Sequence, residues 1–237
     1  MRNRRIRRKR RVRNAACILI FCIAAIVLAF FCEALLKGGN FFTGNGSAAG
    51  EQDNWELVLV NSENKMPENW DIELTWLSNG ERVDSRIYPK LQQMFDDMRA
   101  QGIYPVVASG YRTKEEQQAL MDEKIESLTA QGYAPLDAKA EAENWVAKAG
   151  YSEHETGLAV DINADGIHSA GQEVYDWLAE NAYKYGFIWR YPTDKTNITG
   201  ISNEPWHYRY VGAEAAREIK EMGLCLEEYL GAVKGEP

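Results

Sequence analysis

The chain is 237 residues long, a size that fits one domain with an appendage. Its formal charge of −8 hides an asymmetry: residues 1–14 carry nine Lys/Arg and no acid, whereas from Gly38 onward 17 basic residues face 34 acidic ones, a net of −17. So acidic a body argues against nucleic acid as a partner, because meeting phosphates takes clustered cations. Of the four cysteines, Cys17, Cys22 and Cys32 lie in an apolar N-terminal stretch and Cys225 stands alone in the body, which rules out a disulfide scaffold or a CxxC zinc site. A metal would have to be held by carboxylates and by His154, His168 or His207, the three histidines of the chain.

In chain order, the basic segment 1–14 precedes an uncharged run from Ala15 to Cys32, eighteen residues that are long enough to cross a bilayer as a helix. Nine flanking cations place the N-terminus in the cytoplasm and the body outside it. The run is longer than the apolar region of a cleavable signal peptide, and Cys32-Glu33-Ala34 is a weak cleavage site, so a retained anchor over residues 15–36 is expected. Residues 37–54, rich in Gly, Asn and Ser, read as a flexible tether, and the domain proper as 55–237. Within it, Trp55–Val60 reads as a β-rich run. Ile87, Leu91, Met94 and Met98, at steps of four, three and four, give a helix over about Arg86–Ala100. Ile103–Ala108 follows as a strand that Pro105 assigns to an edge. Thr113 with Glu116 is a capping-box signature for a helix to about Gln131, and a second helix is predicted over Asp137–Lys148. Strands at Leu158–Ile162, Phe187–Tyr191 and Trp206–Val211 alternate with helices at Gln172–Tyr185 and Ala213–Met222. The spacing is not regular βαβ, which favours an α+β fold: a small antiparallel sheet flanked by helices, plus one N-terminal transmembrane helix.

Two segments carry the chemistry. In SEHETGLAVD (Ser152–Asp161), His154 and Asp161 are seven apart, too far for one helical turn, but a turn at Thr156-Gly157 leading into a strand can bring them together. In Glu204-Pro205-Trp206-His207 an acid precedes a histidine by three, and Pro205 argues against a helical HExxH arrangement. Two histidines and a carboxylate are a common ligand set for catalytic zinc with one position left for water, and Glu204 would then be the base. Taken singly, each histidine reads more readily as a satisfied polar residue than as a ligand.

With SGYRTKEEQ (Ser109–Gln117) added and the last segment extended to EPWHYRYVG (Glu204–Gly212), the three segments resemble, in order and separation, the signatures of the VanY-type D-alanyl-D-alanine carboxypeptidases. These belong to a zinc-peptidase group with VanX-type dipeptidases and L,D-carboxypeptidases. The resemblance runs from about Leu57 to Gly212 and leaves out the anchor and tether. It implies Zn2+ bound by His154, Asp161 and His207, Glu204 as general base, and Arg112 as the group that stabilises the oxyanion. Gln117, Ser109 and Ser152 become candidates for substrate contact, although a hydroxyl in a turn as often bonds its own loop. His168 matches no signature position and reads as an exposed loop residue. Tyr191–Ile201 is expected to form a wall near the site. The implied activity is removal of the terminal D-Ala from peptidoglycan stem peptides or precursors ending in D-Ala-D-Ala, outside the cytoplasmic membrane. Cleavage as an L,D-carboxypeptidase or an endopeptidase is the enzymatic alternative. A zinc-containing binding module is the non-enzymatic one, disfavoured by the presence of both Glu204 and Arg112.

Overall fold

The computed structural model describes residues 54–232. The expected anchor and most of the tether lie outside them, and among the described residues no helix is long and apolar enough to cross a membrane. The architecture is α+β. A hairpin pairs β1 (Leu74–Trp76) with β2 (Arg82–Asp84). The main sheet contains β3 (Pro105–Ser109), β4 (Ala159–Ala164), β5 (Phe187–Trp189) and β6 (His207–Tyr210). Its order is β3-β4-β6-β5, and every neighbouring pair is antiparallel. Pro105 thus opens an edge strand, the position where a missing N–H costs nothing. Helices α1 (Tyr88–Ala100), α2 (Lys114–Ala130), α3 (Pro135–Ala142), α4 (Gly171–Asn181) and α5 (Ala213–Met222) surround it.

The helical stripe read from α1 is the one that is buried: Leu91, Met94 and Met98 are 2% exposed or less, as is Ile87 at the N-cap. Each such side chain contributes ~1.5–3 kcal/mol relative to exposure. They pack on Val107, Val160, Ile162, Phe187 and Tyr208 of the sheet to form the main core. Helix α2 has the full capping box, Thr113 Oγ1 accepting from the Glu116 N–H and the Glu116 carboxylate from the Thr113 N–H.

Several expectations are corrected. Trp55–Leu57 is a 3₁₀ turn, and the stretch to Val60 pairs with no strand among the described residues. The backbone carbonyls of Glu56 and Val58 instead accept from the guanidinium of buried Arg209, at 3.2 and 2.8 Å. Helix α3 starts at Pro135, which suits a first helical position, and stops at Ala142 where a helix to Lys148 was predicted. Beyond it the chain turns, and the Ala147 carbonyl receives the Gln117 side-chain amide at 2.7 Å. The helix predicted to reach Tyr185 is α4 followed by a 3₁₀ turn, Ala182–Tyr185. The hairpin β1–β2 was not foreseen. Its signal is Asn79-Gly80, where Gly80 adopts φ +90 in a tight loop closed by the Leu77 N–H donating to the Glu81 carbonyl and the Gly80 N–H to the Leu77 carbonyl.

Candidate active site

Strand register assembles the site. Asp161 on β4 lies directly opposite His207 on β6 and opposite Ser109 on β3, so three strands deliver their polar residues to one point. His154 comes from the 3₁₀ turn Glu153–Thr156, which ends on Gly157 at φ +72. A Cβ on Gly157 would stand 2.6 Å from Ile72 Cδ1 and 3.0 Å from the Asp84 backbone nitrogen, so this turn needs glycine twice over, for its φ and for its space. Glu204 is placed by a turn with Pro205 as its second residue, in which the His207 N–H donates to the Glu204 carbonyl at 3.2 Å. Trp189 Nε1 donates to the same carbonyl at 3.0 Å.

The donor atoms converge. His154 Nε2 stands 3.4 Å from Asp161 Oδ2, and His207 Nδ1 3.0 Å from Asp161 Oδ1. One ligand atom from each of the three residues can be chosen so that all lie within 4.8 Å of one another. Donors at 2.0–2.1 Å around a tetrahedral zinc ion stand about 3.3 Å apart, and the two carboxylate–imidazole spacings, made to the two different oxygens of Asp161, lie close to that. The outer nitrogens are engaged as well: His154 Nδ1 donates to the Gly110 carbonyl at 2.7 Å, and His207 Nε2 faces Glu153 Oε2 at 3.4 Å. Imidazoles tied in this way turn their other nitrogen inward, as ligands of zinc do. The residues fit the metal.

The electrostatics of the metal-free cluster follow from burial and from these contacts. Burial holds His154 below its usual value, which keeps it a neutral donor. Burial alone would also lower His207, but its hydrogen bonds to Asp161 and Glu153 outweigh this and carry it up to about 9 in the absence of metal. Burial would raise Asp161, yet the two histidines hold it well below the usual carboxylate range. Glu204 is raised, chiefly by burial and against the pull of His207 and Arg112. Its Oε2 is 3.8 Å from His207 Nδ1, beside the cluster and not part of it.

Arg112 is fixed in three directions. Nε donates to Ser109 Oγ at 3.0 Å, Nη1 to Gln117 Oε1 at 3.1 Å and Nη2 to Asp161 Oδ2 at 3.2 Å. Ser109 and Gln117, candidates for substrate contact, therefore serve in this structure to hold Arg112, although Gln117 also faces the cleft. Ser152 lines that cleft beside His154 and is 4% exposed. The cleft, about 170 Å³, is walled by Leu120, Trp145, Tyr151, Tyr191, Ile201 and Trp206, so the segment Tyr191–Ile201 does contribute a wall. His168 lies away from it, in an exposed loop against Asp165.

The sequence reading missed Glu153, Arg190, Arg209 and Glu227, a buried charge cluster behind the site. Glu153 Oε1 accepts from Arg190 Nε at 2.8 Å and Arg209 Nη1 at 3.0 Å. Arg190 also forks onto Glu227 at 2.8 and 2.6 Å. Both arginines are fully buried. One signal was present: Arg209 is two residues past His207 in a strand, hence on the face that carries the ligand.

A two-histidine, one-aspartate cluster on an antiparallel sheet, with a carboxylate and an arginine beside it, defines a zinc peptidase site. The chain belongs to the VanY family: the family model of D-alanyl-D-alanine carboxypeptidase matches residues 80–213. It is 64% identical over 185 residues to a D-alanyl-D-alanine carboxypeptidase of Enterococcus faecalis, covering 78% of this chain and 69% of that one. Among solved structures it resembles a point mutant of the vancomycin-resistance D,D-pentapeptidase VanY from the VanB-type cassette in complex with Zn(II). That match has 65% identity and a TM-score of 0.72, over 74% of this chain and 99% of the other. A complex of VanYB with D-alanine-D-alanine matches at 65% identity and a TM-score of 0.73, over 76% and 99% of the two chains.

Proposed function

We infer that the chain is a zinc D,D-carboxypeptidase that removes the terminal D-Ala from peptidoglycan stem peptides ending in D-Ala-D-Ala. The observation that carries this reading is the convergence of His154, Asp161 and His207, with Glu204 3.8 Å from His207 and Arg112 3.2 Å from Asp161. A bound zinc ion supplies a Lewis acid that makes water a nucleophile at neutral pH. Glu204, its proton affinity raised by burial, takes the proton of the attacking water and passes it to the leaving amine. Arg112 spends three of its five N–H donors on the protein and keeps two for the charge that develops on the substrate carbonyl oxygen. A binding module needs neither group.

The apolar run 15–32 and its nine flanking cations support a single-pass anchor with the N-terminus in the cytoplasm. The tether would hold the domain outside, where stem peptides are. There the reaction trims the wall or, alongside glycopeptide-resistance functions, removes the D-Ala-D-Ala that such drugs bind, as the resistance cassette of the VanY relative suggests. Protease added to intact protoplasts should digest the body, and recovery of a soluble form starting near residue 35 would refute the anchor.

The activity is tested by incubating the zinc-loaded full chain with a pentapeptide ending in D-Ala-D-Ala and, separately, with the tetrapeptide it yields, and weighing the products. Loss of one alanine from the pentapeptide alone is expected. Cleavage of the tetrapeptide with the pentapeptide intact would establish the L,D reading instead.

A further inference from the structure

His207 has a carboxylate on each ring nitrogen. Nδ1 faces Asp161 Oδ1 at 3.0 Å, inside the metal cluster, and Nε2 faces Glu153 Oε2 at 3.4 Å, outside it. An imidazole ligates through one nitrogen only if the proton sits on the other, so whatever occupies the outer position selects the ligating atom. Glu153 is suited to this. Its backbone belongs to the same 3₁₀ turn as His154, so one turn supplies a ligand directly and, through its neighbour, orients the second. Its two oxygens divide the work. Oε1 is claimed by both Arg190 and Arg209, which leaves Oε2 aimed at His207 with no other donor hydrogen-bonded to it among the described residues. The clamp is rigid, since Arg190 and Arg209 are fully buried, Arg190 is held from its far side by Glu227, and Arg209 by the carbonyls of Glu56 and Val58.

We propose that Glu153 is the positioning residue of the metal site: it accepts the Nε2 proton of His207 and so commits His207 to bind zinc through Nδ1. The inference rests on the zinc reading of the site and adds to it a defined tautomer and the residue that sets it. The alternative role for Glu153 is charge balance for two buried arginines, with no bearing on His207.

Glu153→Gln separates the two. Its remaining carbonyl oxygen can stay with Arg190 and Arg209, which turns the amide N–H toward His207 Nε2. An N–H there occupies the Nε2 lone pair and favours the proton on Nδ1, the wrong tautomer for ligation. Zinc affinity of the full chain, measured by competition with a chromophoric chelator, should fall about 10- to 100-fold. Glu227→Gln perturbs the same charge cluster at its far end, with Arg209 still holding Glu153, and should lower thermal stability while leaving zinc affinity within about twofold. Equal zinc affinity in wild type and Glu153→Gln would overturn the proposal and leave only charge balance.

A measurement on the unaltered protein tests the tautomer itself even if Glu153→Gln does not fold. With three histidines in the chain, ¹⁵N-histidine spectra of the zinc-loaded protein can be assigned residue by residue. Long-range ¹⁵N–¹H correlations should show His207 protonated at Nε2 and metal-bound at Nδ1. Coordination through Nε2 would overturn the proposal. Absence of zinc from the wild-type chain would instead remove the metal reading on which it rests.

Discussion

Replacing Arg112 tests how the site stabilises charge. In Arg112→Ala the three partners Ser109 Oγ, Gln117 Oε1 and Asp161 Oδ2 each lose a donor at 3.0–3.2 Å. Gln117 is 1% exposed, so leaving its carbonyl oxygen unpaired costs ~1–3 kcal/mol of stability. The catalytic loss is separate. One fixed donor to a developing oxyanion is worth ~10²–10³ in kcat, or ~2.7–4 kcal/mol. Two free N–H groups on one guanidinium place the expected loss at or above the upper end of that range. Zinc should not be lost with it, because Arg112 is not among the ligands and removing a neighbouring positive charge favours a cation. Arg112→Lys keeps the charge but offers a single ammonium in place of a planar fork, so it should recover only part of the activity. The assay is steady-state D-Ala release from a defined pentapeptide, with zinc content measured on the same sample. A kcat within about threefold of wild type for Arg112→Ala would refute the oxyanion role, against the ~10²-fold minimum it requires.

Gly157→Ala should destabilise the domain by ~2–5 kcal/mol, combining left-handed backbone strain with overpacking. The clashes are with Ile72 Cδ1 at 2.6 Å and the Asp84 nitrogen at 3.0 Å; urea denaturation measures the change, and an unaltered midpoint would contradict the reading. His154→Ala should abolish zinc binding and activity together, and stoichiometric zinc in that variant would show the ligand assignment to be wrong. Cys225 is 2% exposed and burial pushes its thiol up to about 11, so iodoacetamide at pH 8 should leave it unmodified in the folded protein and modify it in denaturant. Because the folded value lies above the unfolded one, this thiol's contribution to stability is intact below the unfolded pKa and is lost as pH rises through about 11.

Much of the site was legible because it is built from short-range features. His154 and Asp161 flank one turn into one strand, and Asp161 meets His207 across a single register pair, so spacing and a glycine nearly suffice to place them. The α1 stripe and the α2 cap were legible for the same reason: their periods and caps are local. What escaped depends on distant partners. Trp55–Val60 has the composition of a strand, but its carbonyls go to Arg209, 151 residues from Val58. Arg190 and Glu227 look like ordinary charged residues until the fold buries them against each other and against Glu153. A pattern of apolar and polar positions cannot show that a charge is paired in the interior.

The central claim, that Glu204 is the base of a zinc peptidase and not one of its ligands, is tested most directly by Glu204→Gln. Zinc content and D-Ala release from a pentapeptide are measured on the same preparation. Glu204 Oε2 lies 3.8 Å from His207 Nδ1, outside the ligand cluster, so zinc should remain at wild-type occupancy. Turnover should fall by ~10²–10⁴-fold, the contribution of a positioned base. Loss of zinc would make Glu204 a ligand, and full zinc with wild-type D-Ala release would show that another group takes the proton.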